Sequence, residues 1–164
     1  MVIFYFDTSA LVKRYHEEIG SKILDKIFEL EKYELVILYW TVLEFVVAFS
    51  SLRRRREISN ESFSMIISRF LKDTLDRFTV TGVNDELIAL ATPMAIKYAL
   101  PSADCVQLAG AINLKKTLET VKEELVLLCS DKDLCRAARR EGITYINPEA
   151  KDALKKLKTI TPQG

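Results

Sequence analysis

Four acidic side chains, Asp7, Glu44, Asp104 and Asp131, fall in the same kind of local context. Asp7 ends the apolar, β-prone run Val2 to Phe6. Glu44 stands early in the helical stretch after a second such run, Leu35 to Tyr39. Asp104 lies in the first turn of a helix announced by Leu100-Pro101-Ser102. Asp131 follows the run Leu125 to Cys129 and opens another helix. Unbroken apolar runs of this length read as strands buried on both faces, as in a parallel sheet. The carboxyl edge of such a sheet, with the adjoining helix N-termini, is where ligands collect.

Each acid also has an ordinary structural use. Asp7 can cap the helix after it. Thr41-x-x-Glu44 has the form of a capping box. Asp104 and Asp131 suit the positive end of a helix dipole. Together, though, four ionised carboxylates at one crevice repel one another. A divalent cation offsets that repulsion far better than helix dipoles do. A donor set of oxygen alone suits Mg²⁺ or Mn²⁺ rather than zinc. The single histidine, His16, is expected at the surface beyond the first short helix.

The elements that must position these groups alternate along the chain. Thr8 or Ser9 is expected to cap a helix to about Tyr15, leaving Asp7 free, and a further helix is expected over Glu17 to Lys32. After the second strand, an apolar helix runs from Thr41 to about Arg55, and another starts at Ser59-Asn60. Phe78 to Thr81 is a third strand. Asn84 caps the next helix, which Pro93 is expected to kink or break near Ala91-Thr92. Residues 117–124 either prolong the helix that carries Asp104 or loop back. The helix opened by Ser130-Asp131 stops at Gly142, Ile143 to Ile146 is a fifth strand, and Glu149 to about Leu157 a last basic helix. Strands alternating with helices predict an α/β fold, a parallel sheet covered by helices on both faces.

The 164 residues suffice for one domain with a substantial core. A formal net charge of +1 rules out a polycation, so nucleic-acid binding would need a local basic patch. Arg53, Arg54, Arg55 and Arg56 form the densest run, either a solvated helix end or a contact for RNA or a partner. Lys13-Arg14 and Arg136, Arg139 and Arg140 follow. No targeting segment or membrane span is visible. Cys105, Cys129 and Cys135 read as reduced core thiols of a cytoplasmic protein.

The ordered set Phe6-Asp7-Thr8-Ser9-Ala10-Leu11, Glu44, Pro101-Ser102-Ala103-Asp104-Cys105-Val106-Gln107-Leu108-Ala109 and Ser130-Asp131-Lys132-Asp133-Leu134 resembles the PIN-domain ribonucleases, in particular the VapC-type toxins of prokaryotic toxin–antitoxin pairs. The resemblance spans about Val2 to Asn147. It implies a three-layer α/β/α fold of about five parallel strands over residues 1–150, with 151–164 as an appended basic helix and tail. It implies Mg²⁺- or Mn²⁺-dependent endoribonuclease activity on single-stranded or looped RNA, leaving a 5′-phosphate and a 3′-hydroxyl. It makes Asp7, Glu44, Asp104 and Asp131 the catalytic and metal-binding acids. Ser130 is the hydroxyl before the fourth acid, and Asp133 an extra acid that some members carry. Its implied partners are an antitoxin and a second copy of the chain. Broad apolar faces with Phe28, Phe63 and Phe70 either join the core or receive such a partner.

Rival readings lack their required residues. A receiver domain needs an acid pair after the first strand, where a lone Asp7 stands. A haloacid-dehalogenase-type phosphatase needs an acid where Ser9 stands. A dinucleotide-binding domain needs a glycine-rich first turn. The remaining alternative is a catalytically silent PIN-like module that binds RNA or protein.

Overall fold

The computed structural model describes residues 1–161. Five strands, β1 (Val2–Phe6), β2 (Glu34–Leu38), β3 (Phe78–Thr81), β4 (Glu124–Leu128) and β5 (Thr144–Ile146), form one sheet in the order β3-β2-β1-β4-β5. All pairings are parallel, with Tyr5 opposite Val36 on one side of β1 and Leu127 on the other. The chain builds outward from β1 to β3, then crosses back to place β4 on the opposite flank of β1. The strand order therefore reverses between β1 and β4, and parallel sheets open a crevice at such a switch point.

Residue alternation along β1 divides the core in two. Ile3 and Tyr5 face one layer, with Val36, Leu38, Leu108, Leu127 and Leu134. Phe4 and Phe6 face the other, with Leu24, Ile37, Phe45, Phe70 and Leu128. The first layer holds helices α5 (Asp85–Tyr98), α6 (Ser102–Thr120) and α7 (Lys132–Arg140). The second holds α1 (Thr8–Leu11), α2 (Ser21–Phe28), α3 (Tyr39–Arg54), α4 (Asn60–Asp76) and α8 (Ala153–Ile160). The fold is the α/β/α sandwich expected from the alternation. Ala153 and Leu157 of α8 are buried in the same core as β5.

Several boundaries differ from expectation, each for a local reason. α2 begins at Ser21, not Glu17. Gly20 has φ +100°, and a Cβ there would meet the Pro148 backbone at 2.9 Å, so the chain turns sharply before the helix. α3 starts at Tyr39, two residues before Thr41, with Leu38 as its N-cap. Pro93 does not break α5, which is continuous from Asp85 to Tyr98. A proline removes only one backbone bond; Leu87 and Ala91 anchor that helix in the core. Residues 117–120 prolong α6. β4 and β5 are slightly displaced from the expected spans, and α8 begins four residues after Glu149.

Candidate metal-binding crevice

Asp7 leaves β1 in an extended conformation and is itself the N-cap of α1. The expectation that Thr8 or Ser9 would take over the capping is wrong. The Asp7 Oδ2 accepts the Ser9 backbone N–H at 2.9 Å and the Ser9 hydroxyl. Capping and ligand roles remain compatible, because these bonds occupy one oxygen. Asp7 is only 3% exposed. Burial pushes its carboxyl up to about 6, against the opposing bonds from Ser9, and Glu44 adds to the rise. Desolvating a carboxylate costs several kcal/mol, whereas a hydrogen bond to a charged acceptor returns about 1.5–3 kcal/mol. Burial wins that balance here.

Glu44 lies in the second turn of α3, because the helix starts at Tyr39. The capping box with Thr41 is therefore not formed. Its Oε2 accepts the Thr8 hydroxyl at 2.9 Å and the Gln107 Nε2 at 3.2 Å. Asp104 stands in the first turn of α6 and is raised to about 7, by burial first and then by Asp7, Asp131, Glu44 and Asp133. Asp104 thus feels the charge of each of the other three expected acids, and Asp7 that of Glu44. None of these four is ion-paired with a lysine, arginine or histidine among the described residues.

Asp131 caps α7, its Oδ1 accepting the Asp133 and Leu134 amides at 2.8 Å each. Asp133 is exposed and pairs with Arg136 on the outer face of the same helix. The Ser130 hydroxyl oxygen is buried without a hydrogen-bond partner. Ser9 ties the two sides of the switch point together. Its Oγ donates to Asp7 and accepts the backbone N–H of Ser130 at 2.9 Å and of Asp131 at 3.2 Å.

Two residues in this arrangement carry more than their sequence context suggests. Ser9 reads as a helix cap, but its hydroxyl joins the loops after β1 and β4. Gln107 reads as one polar position in an apolar helix. The available signal was its spacing, one turn after Asp104 on the same helix face.

The residues fit a hard divalent cation by their chemistry. The donors are oxygens only, and the hydrogen bonds to Asp7, Glu44 and Asp131 fall on one oxygen of each. The Ser130 hydroxyl is an unpaired polar atom beside them. Among the described residues, no group of three or more His, Cys, Asp or Glu side chains is placed so that it could hold a metal ion as it stands.

The arginine run is elsewhere. Arg53 lies nine residues beyond Glu44, about 14 Å along the helix axis at 1.5 Å per residue. Arg53 stacks on Phe63 at 4.1 Å, and Arg55 pairs with Glu57 at 2.7 Å. All four arginines are exposed. Lys13 and Arg14 are committed to Glu18, Glu149 and Asp25. Phe28 and Phe70 belong to the core and Phe63 is partly buried against it, while Met65, Leu71 and Leu75 of α4 stay exposed. His16 is partly buried, its ring nearly perpendicular to that of Phe49.

Neither a protein-family model nor a curated protein matches the sequence. Solved structures do. A VapBC-1 structure from nontypeable Haemophilus influenzae is similar with a TM-score of 0.61 at 13% identity, covering 92% of this chain and 100% of that one. PAE2754 from Pyrobaculum aerophilum gives 0.59 at 21% identity, covering 99% and 97%. A toxin–antitoxin complex from Klebsiella pneumoniae gives 0.53 at 16% identity, covering 88% and 96%. The chain has the PIN-like α/β/α fold shared with VapC-type structures.

Proposed function

We propose that the protein is a Mg²⁺- or Mn²⁺-dependent endoribonuclease acting on single-stranded or looped RNA, and the toxin of a toxin–antitoxin pair. One observation carries the reading: Asp7 and Asp104 are raised by burial and by the neighbouring acids, Glu44 and Asp131 among them, and none of the four is paired with a cation among the described residues. Asp7 and Asp104 would hold the principal ion. Glu44 and Asp131 would ligate through water or hold a second ion. Such an ion supplies Lewis-acid stabilisation of charge on a phosphoryl oxygen. Glu44 or Asp131 takes the proton of the attacking water. With His16 outside the crevice, no histidine serves as acid or base there. In-line attack leaves a 5′-phosphate and a 3′-hydroxyl.

The antitoxin reading draws on the toxin–antitoxin structures that share the fold. A homodimer has support from Tyr39, Leu43 and Val47, which line one side of α3 at 63%, 57% and 58% exposure. No helix among the described residues is long and apolar enough to cross a membrane, and the three free thiols suit a cytoplasmic setting.

The test is cleavage of end-labelled single-stranded and stem-loop RNAs. Activity should require Mg²⁺ or Mn²⁺, disappear with chelator and be lost in Asp7→Asn. Undiminished cleavage by folded Asp7→Asn would sink the assignment. That no group of three or more His, Cys, Asp or Glu among the described residues is placed to hold a metal ion favours one second reading, a silent binding module. RNA binding without cleavage under any divalent metal would select it.

A further inference from the structure

We infer that Gln107 is a positioning residue of the acidic crevice, holding the Glu44 carboxylate in place through a buried polar relay; this rests on the metal-dependent reading above. Gln107 is 1% exposed, on the buried face of α6, one turn below Asp104. Its Nε2 donates to the Thr41 Oγ1 at 2.8 Å and to the Glu44 Oε2 at 3.2 Å. Its Oε1 accepts the Tyr5 hydroxyl at 3.1 Å. The amide has one workable orientation. A carboxylate only accepts, so the nitrogen must face Glu44, and the oxygen is left for Tyr5.

The rest of the core makes room for this relay. Tyr5 is fully buried on β1, where an apolar residue would fill the space without needing a partner. An added Cβ at Gly110 would overlap the Tyr5 hydroxyl, so residue 110 must lack a side chain for Tyr5 to reach Gln107. Thr41, released from capping by the early start of α3, accepts the second amide hydrogen. Gln107, held by Tyr5 and Thr41, and Thr8, at 2.9 Å, therefore donate to the same oxygen of Glu44. The second oxygen of Glu44 is left for a cation or its water. A buried polar group with three directed bonds is costly unless satisfied and rigid once satisfied. Placed behind a carboxylate, it fixes that carboxylate's orientation, as partners behind metal ligands do.

The experiment is calorimetric titration of the full-length protein with Mn²⁺, alongside thermal melting. The variants are Gln107→Met, which keeps the length and apolar stem of the side chain, Thr8→Val, which removes the other donor, and Leu118→Ala as a buried control on the same helix. Gln107→Met should weaken Mn²⁺ binding about 10-fold or more, and Thr8→Val should weaken it in the same direction. Leu118→Ala should lower the melting temperature and leave Mn²⁺ affinity unchanged. Unaltered affinity in folded Gln107→Met, with only a lower melting temperature, would overturn the positioning role. Should Gln107→Met fail to fold, unchanged affinity in Thr8→Val would overturn it instead. Absence of Mn²⁺ binding by the wild type would overturn the metal reading and this inference together.

Discussion

Two buried charges in this protein are treated in opposite ways. Lys13, 5% exposed, meets Glu18 and Glu149 at 2.8 Å each. Burial pulls its ammonium down, but the bonds to Glu149 and Glu18 outweigh that and raise it. Asp7, 3% exposed, is paired with no cation among the described residues, and the charged neighbour that acts on it is another acid, Glu44. The described residues thus supply counter-charges for a buried lysine six positions from Asp7 in sequence, and none for the four acids. A fold that can neutralise a buried charge and leaves four acids unneutralised points to a counter-charge from outside the chain.

Breaking each side of this contrast should have opposite consequences. The largest effect is expected from Asp7→Asn or Asp104→Asn, which should lower RNA cleavage at least about 10³-fold, or ~4 kcal/mol of barrier. Asparagine caps helices as well as aspartate does, so Asp7→Asn should melt no lower than wild type in metal-free buffer. Next comes Lys13→Met, which strands two carboxylates. It should cost about 2 kcal/mol in denaturant unfolding, less than for a fully buried pair because both acids are partly exposed, while leaving cleavage by the folded protein intact.

A third prediction concerns pH. The Asp7 and Asp104 carboxyls are raised to about 6 and about 7 in the folded chain, above their unfolded value of 3.8. The folded protein therefore binds more protons than the unfolded one between these values. The stabilising contribution of the two groups is fully present below the unfolded value and is lost as pH rises through 6 to 7. Metal-free wild type should lose about 1–3 kcal/mol relative to an Asp7→Asn/Asp104→Asn double variant between pH 5 and pH 8. Mn²⁺ should restore the loss in wild type alone. The smallest effect is expected from Asp133→Asn. That carboxylate is exposed and paired with Arg136, so stability should move by under about 0.5 kcal/mol and cleavage should change little.

Much of the scaffold was readable because it rests on local pattern. Apolar runs such as Val2–Phe6 and Leu125–Leu128 name strands of a parallel sheet. Turn residues such as Asn84 and Gly142 mark helix ends where the structure has them. The same patterns put Asp7 and Asp131 at strand ends, since a side chain's place along a strand is a local property. What escaped was long-range. The Tyr5–Gln107 and Thr8–Glu44 bonds join residues 102 and 36 positions apart, and nothing local distinguishes Gln107 from a helix-filling amide. The capping box at Thr41 failed for a related reason. α3 begins as soon as β2 ends, so tertiary packing overrode a good local signal. Asp7 was readable as either a cap or a ligand. The structure makes it a cap through one oxygen, which leaves the other role open.

The central claim is that the crevice is built for a cation brought from outside the chain. Calorimetric Mn²⁺ titration of the wild-type protein at pH 6 and pH 8.5, in buffers of different ionisation enthalpy, tests it directly. Binding should be saturable at both pH values, with about one proton or more released per protein at pH 6 and almost none at pH 8.5, because Asp7 and Asp104 must shed their protons to take the ion. Absence of saturable binding, or binding with no proton release at pH 6, would contradict the account.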